Sequence, residues 1–427
     1  MKLGGRLQAA IEVLDDVLTR RTPVNMALRD WGKSHRFAGS KDRSAIGNYV
    51  HDALRKRLSL GWQMNDDSPR SLILGQASLV YSYDLIKAFK DDKHAPSDLS
   101  SNERKLVAGS ISLDSAPDWV KADVPEWLWP AFSNNFDEEA IIEGQALAKR
   151  APLDLRVNLL KTDVESAIKT LSVHQPISCN LSPIGLRLSA DGPEARLPNI
   201  QIEEIYQTGG VDIQDEGSQI VSLLINAKPT DTILDLCAGG GGKSLALAGQ
   251  IKGEGGIYAF DIDKRRLAPL YQRAQRAGAD INVIQPPHEN LNHLKNTIDR
   301  VVVDAPCSGV GTWRRKPDAK WRLSQDALGK RFKEQQTVLS QAKDFVRPGG
   351  YLFYITCSML AEENEAQIYA FLEDNDNFNL LSAGEVWEEI FGTNGLKPWS
   401  TDGCSLTLTP ASTQTDGFFF AVMEKGS

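Results

Sequence analysis

Apolar positions in the first third of the chain recur every three or four residues. Leu7, Ile11, Leu14 and Leu18 set one such stripe, and similar spacing predicts helices over 7–18, 25–31, 44–60, 71–89 and 101–111. Strand patterns are almost absent before residue 150. Ala116-Pro-Asp-Trp-Val120 and Pro125-Glu-Trp-Leu-Trp-Pro130 then form a proline- and tryptophan-rich connector. Beyond it the pattern shortens. Leu155-Arg-Val-Asn158, a helical run over 164–171 and Gly185-Leu-Arg-Leu188 read as a small lobe of short strands around one helix. From Val221 onward strands alternate with helical runs, which predicts a doubly wound parallel sheet. Its strands fall at 232–236, 256–261, 282–285, 300–304 and 350–356, and a final pair lies at 404–408 and 417–423. Three domains follow from this: a helical one over 1–145, a small α/β lobe over 146–220 and a larger α/β domain over 221–427.

Composition sharpens the picture. With 427 residues, 41% hydrophobic and 24% charged, the chain can bury more than one core as a soluble globular protein. No apolar stretch is long enough to span a bilayer, and the start Met1-Lys-Leu-Gly-Gly-Arg has no secretory apolar region. Five cysteines without paired spacing make no disulfide framework, so a reduced, cytoplasmic monomer is expected. A net charge of −8 argues against nucleic-acid binding when taken alone. Its distribution argues the other way. Basic residues outnumber acidic ones two to one from Met1 to Leu60. Arg314, Arg315, Lys316, Lys320, Arg322, Lys330, Arg331 and Lys333 crowd a second basic stretch, whose Trp313 and Trp321 either stack on bases or pack. The acidic stretch from Glu362 to Glu389 is expected to face solvent, leaving the basic regions for RNA.

The chemistry sits in three segments. Leu234-Asp-Leu-Cys-Ala-Gly-Gly-Gly-Gly-Lys243 is a glycine-rich turn from strand to helix, suited to a nucleotide-like cofactor. Cys307 lies in Asp304-Ala-Pro-Cys-Ser-Gly309 and Cys357 in Ile355-Thr-Cys-Ser358, each just after a buried strand. Ligands of open α/β sheets lie beyond the carboxyl ends of the strands, so both thiols should enter the cofactor's crevice. Two thiols and an aspartate there point to covalent chemistry on an electrophilic ring. Cys179, Cys237 and Cys404 read as packing or backbone-contact residues. His288 and His293 lack a ligand pattern and there is no C-x-x-C, so no metal is expected.

These motifs resemble those of the RNA cytosine-C5 methyltransferases, the NOL/NOP/SUN group, and most of all its bacterial RsmB-type branch. The resemblance rests on Asp235–Lys243, Asp304–Gly309, Thr356-Cys-Ser358 and Asp416-Gly-Phe-Phe-Phe-Ala421. Arg156-Val-Asn-Leu-Leu-Lys-Thr-Asp163 and Gln214-Asp-Glu-Gly-Ser218 also match, so the likeness runs from about Pro152 to Met423. It implies a class I methyltransferase Rossmann-like sheet, an RRM-like small lobe and a NusB-like helical domain, the last resting more loosely on residues 42–55. It implies S-adenosylmethionine as cofactor, held by Cys237, Ala238, Gly239, Gly240, Gly241, Gly242, Lys243, Asp261 and Asp304. The helix after the loop presents free N–H groups to the methionine carboxylate, and Asp261 suits ribose hydroxyls. A nicotinamide cofactor is disfavoured, because no loop is arranged for a pyrophosphate.

Two departures from the family pattern stand out. Gly239 and Gly240 replace a common alanine and proline, which predicts a more flexible loop. No aspartate follows the third strand, leaving Pro287 or His288 beside adenine.

Carbon C5 of cytosine becomes nucleophilic only after a thiolate adds to C6. Chemistry alone does not say which thiol adds. A Pro-Cys thiol, as in DNA cytosine methyltransferases, favours Cys307, whereas the family resemblance favours Cys357 with Cys307 assisting release. Asp304 is the expected partner of ring N3, and Lys243 meets either the cofactor carboxylate or the base. The expected substrate is small-subunit ribosomal RNA, with transfer RNA as the runner-up. A non-catalytic RNA-binding assembly factor is the competing reading, and the intact Asp304, Cys307 and Cys357 speak against it.

Overall fold

A computed structural model describes residues 1–90, 92–189, 192, 195–252, 255–393, 395–400 and 402–427. The chain forms two compact units. One comprises Met1–Ala151 and Thr312–Leu323, with the described residues between Ala190 and Arg196; the remainder forms the other.

The first unit is helical. Helices Leu3–Arg20, Val24–Ser34, Ser40–Arg55 and Pro69–Gly75 enclose a core that includes Leu7, Leu14, Ile46, Val50, Leu54, Leu72 and Ile73. The helix predicted over 44–60 is two helices, because the chain bends at Lys56 before Arg57–Met64. The one predicted over 71–89 loses its register in a π turn at Gln76–Val80 and ends near Ser82, whose φ is 57°.

Residues 312–323 belong to this unit and correct a sequence expectation. Trp313 is 1% exposed, Arg314 5% and Lys320 2%, so two of the basic residues of this stretch are core, while Lys316, Arg322, Lys330 and Lys333 stay exposed. The Lys320 ammonium donates to the carbonyls of Arg55 and Asp123 at 3.0 and 2.7 Å and lies near the Trp313 and Trp321 rings. Burial lowers its pKa to about 8. Trp321 donates its indole N–H to the Leu54 carbonyl at 2.7 Å. Trp313 is thus a packing residue, while the partly buried Trp321 packs against the helical core with Arg57 and Lys320 near its ring.

The second unit carries two sheets. The smaller has strands β1 (Leu153–Val157), β2 (Ile177–Ser178), β3 (Gly185–Leu188) and β4 (Val211–Ile213) in the order β2-β3-β1-β4, all antiparallel. The helix Val164–Thr170 contributes Ala167 to the core that Leu155, Val157, Leu186 and Leu188 form. Arg187 in β3 bridges Asp154 at 2.7 and 2.9 Å and Glu216 at 3.0 Å. Asp154, Glu216 and Cys179 could by spacing hold a metal ion. The guanidinium already meets both carboxylates there, and burial pushes the Cys179 thiol far up, which keeps it protonated.

The larger sheet follows the alternation in the sequence. Strands β5 (Thr232–Asp235), β6 (Gly256–Phe260), β7 (Asn282–Ile284), β8 (Ile298–Asp304) and β9 (Val346–Thr356) are parallel. Three more strands, β10 (Phe378–Leu380), β11 (Ser405–Leu408) and β12 (Phe418–Lys425), complete the order β10-β12-β9-β8-β5-β6-β7, with β11 also on β12. The strand order reverses between β5 and β8, so the carboxyl ends of these two strands open the crevice where a ligand is expected. Strands β5, β8 and β9 carry near-continuous apolar runs, as a sheet covered on both faces requires. Short β10 has no sequence pattern strong enough to announce it. Among the described residues, no helix is long and apolar enough to cross a membrane.

Candidate active site

The strand ends bring the three sequence segments together in the second unit. After β5 the chain turns through glycines with φ of 51° at Gly239 and 80° at Gly241. Gly241 is irreplaceable on two counts, since a Cβ there would also lie 2.1 Å from Leu270 Cδ1. The loop predicted to be flexible is held at several points. Gly239 donates its N–H to Asp261 Oδ2 at 3.0 Å, Gly241 donates to the Ala238 carbonyl at 2.8 Å, and Arg273 donates to the Gly240 carbonyl. The helix Gly242–Ile251 starts directly behind it.

Beside this loop lies a cavity of about 590 Å³. Leu236, Cys237, Phe260 and Pro306 give it apolar walls, while Asp261, Arg266 and His288 supply polar atoms. Asp261 is 2% exposed, and its other oxygen accepts from the Asp263 N–H at 2.9 Å. Arg266 pairs with Asp261 at 3.2 Å. Of the two residues considered for the adenine side, His288 lines the cavity. Its Nε2 is buried without a hydrogen-bond partner. An apolar slot with a carboxylate at one end and an unsatisfied ring nitrogen in its wall fits a nucleoside.

Asp235, at the end of β5, is 1% exposed and accepts from the Ser244 hydroxyl at 2.6 Å, while its Oδ1 has no partner. Burial raises its pKa to about 6. Its protonated form is therefore favoured by folding, and the benefit is lost as pH rises through about 6. Asp235→Asn should accordingly gain stability relative to the parent as pH goes from 5 to 8, by roughly 1–1.5 kcal/mol. Thermal unfolding of both proteins across that range checks the sign.

Lys243 and Asp304 meet at 2.7 Å, with Lys243 buried and Asp304 about a third exposed. Lys243 also lies 5.4 Å from the Phe418 ring centroid. The sulfurs of Cys307 and Cys357 are 3.3 Å apart. Hydrogen bonding to Cys357 and burial hold the Cys307 thiol well above its usual range. Burial does the same to Cys237, which lines the cavity as a neutral group.

The remaining matched motifs fasten these loops. Gly311 donates its N–H to the Cys357 carbonyl at 3.0 Å, and Gly417 donates to the Gly311 carbonyl at 2.8 Å. A Cβ on Gly311 would meet the Gly417 carbonyl at 2.3 Å, so the two backbones can approach only as glycines. Asp215 accepts from Gly217 and Asp416, and Arg156 donates to Gln214 at 2.6 Å. The upstream motifs are thus structural ties.

Several neighbours of the thiols escape sequence reasoning. Glu363, expected in solvent, is fully buried against the Cys307 loop, together with Gln335 and Asn364. Their composition gave no signal, because an acidic run usually marks a solvated face.

The sheet, its hairpin end and the glycine loop beside a nucleoside-sized slot define a class I methyltransferase fold. Residues 222–424 match the family described as 16S rRNA methyltransferase RsmB/F. A probable ribosomal RNA small subunit methyltransferase B of Bacillus subtilis is 30% identical over 328 residues, covering 74% of this chain and 71% of that protein. Its Synechocystis counterpart is 33% identical over 317 residues, covering 70% of this chain and 66% of that protein. The chain thus spans about two thirds of the length of these curated relatives. The crystal structure of a methyltransferase homolog protein from Pyrococcus horikoshii superimposes with a TM-score of 0.60 at 26% identity, covering 74% of this chain and all of that one. The chain belongs to the RsmB/F methyltransferase family.

Proposed function

We propose that this protein is an S-adenosylmethionine-dependent RNA cytosine-C5 methyltransferase acting on small-subunit ribosomal RNA. The observation that carries the chemistry is the pair of thiols 3.3 Å apart, Cys307 and Cys357, on the strand ends that also present the Lys243–Asp304 pair. The substrate follows the names of the relatives. The target base must be unpaired or flipped out, because a stacked cytosine hides C6.

S-adenosylmethionine supplies an electrophilic methyl group. The loop from Cys237 to Lys243 and the carboxylate of Asp261 would hold it, with His288 in the wall of the slot that would take its base. Cys357 adds to C6. The contact with Cys357 and burial keep the Cys307 thiol protonated, within 3.3 Å of the Cys357 sulfur. Asp304, oriented by Lys243, passes a proton to ring N3 as the thiol adds to C6 and takes it back when the adduct collapses. After methyl transfer a solvent water takes the C5 proton, the C5–C6 double bond re-forms as the S–C6 bond breaks, and the departing Cys357 sulfur takes the Cys307 proton, which Cys307 recovers from solvent.

The carboxylates separate binding from chemistry. Asp261→Ala should weaken S-adenosylmethionine binding at least tenfold with a smaller effect on kcat. Asp304→Ala should lower kcat by about 10²–10³-fold, as loss of a transition-state contact does. Calorimetric titration with S-adenosylmethionine and single-turnover methylation of small-subunit RNA measure the two effects. Unchanged cofactor affinity in Asp261→Ala would remove that residue from the site.

A further inference from the structure

Two adjacent residues grip the two thiol-bearing loops, one residue to each loop. Glu363 Oε1 accepts from the Ser308 N–H at 2.7 Å and from Gln335 Nε2 at 3.0 Å, and its Oε2 accepts from the Ser308 hydroxyl. Gln335 also donates to the Pro306 carbonyl at 3.0 Å. The carboxylate therefore holds the residue after Cys307 directly and the residue before it through Gln335. Asn364 treats Cys357 in the same way. Its Oδ1 accepts from the Thr356 hydroxyl at 2.6 Å, and its Nδ2 donates to the Ser358 carbonyl at 3.2 Å. The Tyr354 hydroxyl, rising from β9, donates to the Glu363 carbonyl at 2.7 Å and ties this dipeptide to the sheet.

A fully buried carboxylate is costly, and an apolar side chain would fill the same space more cheaply if only packing were needed. What an apolar side chain cannot do is hold a backbone N–H, a hydroxyl and an amide at once. Reacting groups need placement within about 0.5 Å, and an error of about 1 Å costs on the order of 10²-fold.

We infer that Glu363 and Asn364 are positioning residues, one for each thiol, and that together they set the 3.3 Å separation of Cys307 and Cys357. The inference rests on the reading of both thiols as reacting groups, and one of its measurements is independent of that reading.

That measurement is closure of the Cys307–Cys357 disulfide by diamide. The oxidant takes two hydrogens as the two thiols form one S–S bond, and peptide mass mapping separates this bond from any made by Cys179, Cys237 or Cys404. Glu363→Gln, Asn364→Asp and Gln335→Met should each slow closure at least tenfold, with S-adenosylmethionine affinity within twofold of the parent. In turnover with small-subunit RNA, Glu363→Gln and Gln335→Met should lower kcat ten- to a hundredfold and accumulate covalent RNA adduct, as a release defect does. Asn364→Asp should instead form less adduct. KM for the methyl donor should stay within twofold in all three. Should Glu363→Gln fail to fold, Gln335→Met carries the test, since methionine also removes a buried Gln335 oxygen that has no partner. Closure at the parent's rate in both Glu363→Gln and Gln335→Met would overturn the assignment. Slower closure in the variants, with no RNA adduct in any protein including the parent, would uphold the positioning and sink the proposed chemistry instead.

Discussion

Cys357→Ala abolishes methylation and leaves no covalent RNA adduct, whereas Cys307→Ala accumulates one; these are the largest catalytic effects expected. Without Cys357 nothing adds to C6, and C5 stays too weak a nucleophile, so activity should fall by at least about 10⁴-fold. Without Cys307 the attack and the methyl transfer survive, but the departing sulfur loses its proton donor. The family resemblance assigns the two thiols these different parts, and the 3.3 Å contact puts the Cys307 thiol within reach of the Cys357 sulfur. Denaturing gels of each protein with labelled small-subunit RNA and S-adenosylmethionine read the adduct directly. An adduct in Cys357→Ala and none in Cys307→Ala would exchange the two roles.

The largest expected effect on stability lies in the other unit. Trp313 is among the largest fully buried side chains, and Lys320 lies 5.6 Å from its ring centroid while satisfying two buried carbonyls. Trp313→Ala should cost about 3–5 kcal/mol through lost burial and the cavity left behind. Arg315→Ala with Lys316→Ala, at less buried positions, should cost under about 1 kcal/mol. Denaturant unfolding monitored by circular dichroism distinguishes them. Equal stability of Trp313→Ala and the parent would mean that this tryptophan is not the core residue described.

What the sequence made legible was contiguous. The glycine loop, the Asp304–Gly309 and Thr356–Ser358 segments and the strands before them each occupy a few neighbouring residues, so their residue types reveal the chemistry without the fold. The parallel strands were legible because burial on both faces leaves unbroken apolar runs. The start of β9 was not, since Pro348, Gly349 and Gly350 read as a break, yet the strand runs from Val346. The clamp of Glu363, Asn364 and Gln335 depends on segments distant in the chain, and a glutamate beside other glutamates carries no mark of its burial. Lys320 is the converse case. Its surroundings in sequence are those of a solvated helix face, and only the carbonyls of Arg55 and Asp123 explain its burial. Charge counted along the chain could not distinguish the buried Arg314 and Lys320 from their exposed neighbours.

The central claim is the identity of the modified nucleoside. Small-subunit RNA from cells lacking the protein can be incubated with purified protein and isotopically labelled S-adenosylmethionine, digested to nucleosides and resolved by mass spectrometry. The account predicts label in 5-methylcytidine, dependent on Cys357 and absent when transfer RNA replaces ribosomal RNA. Label in any other methylated nucleoside, or 5-methylcytidine formed equally by Cys357→Ala, would contradict it.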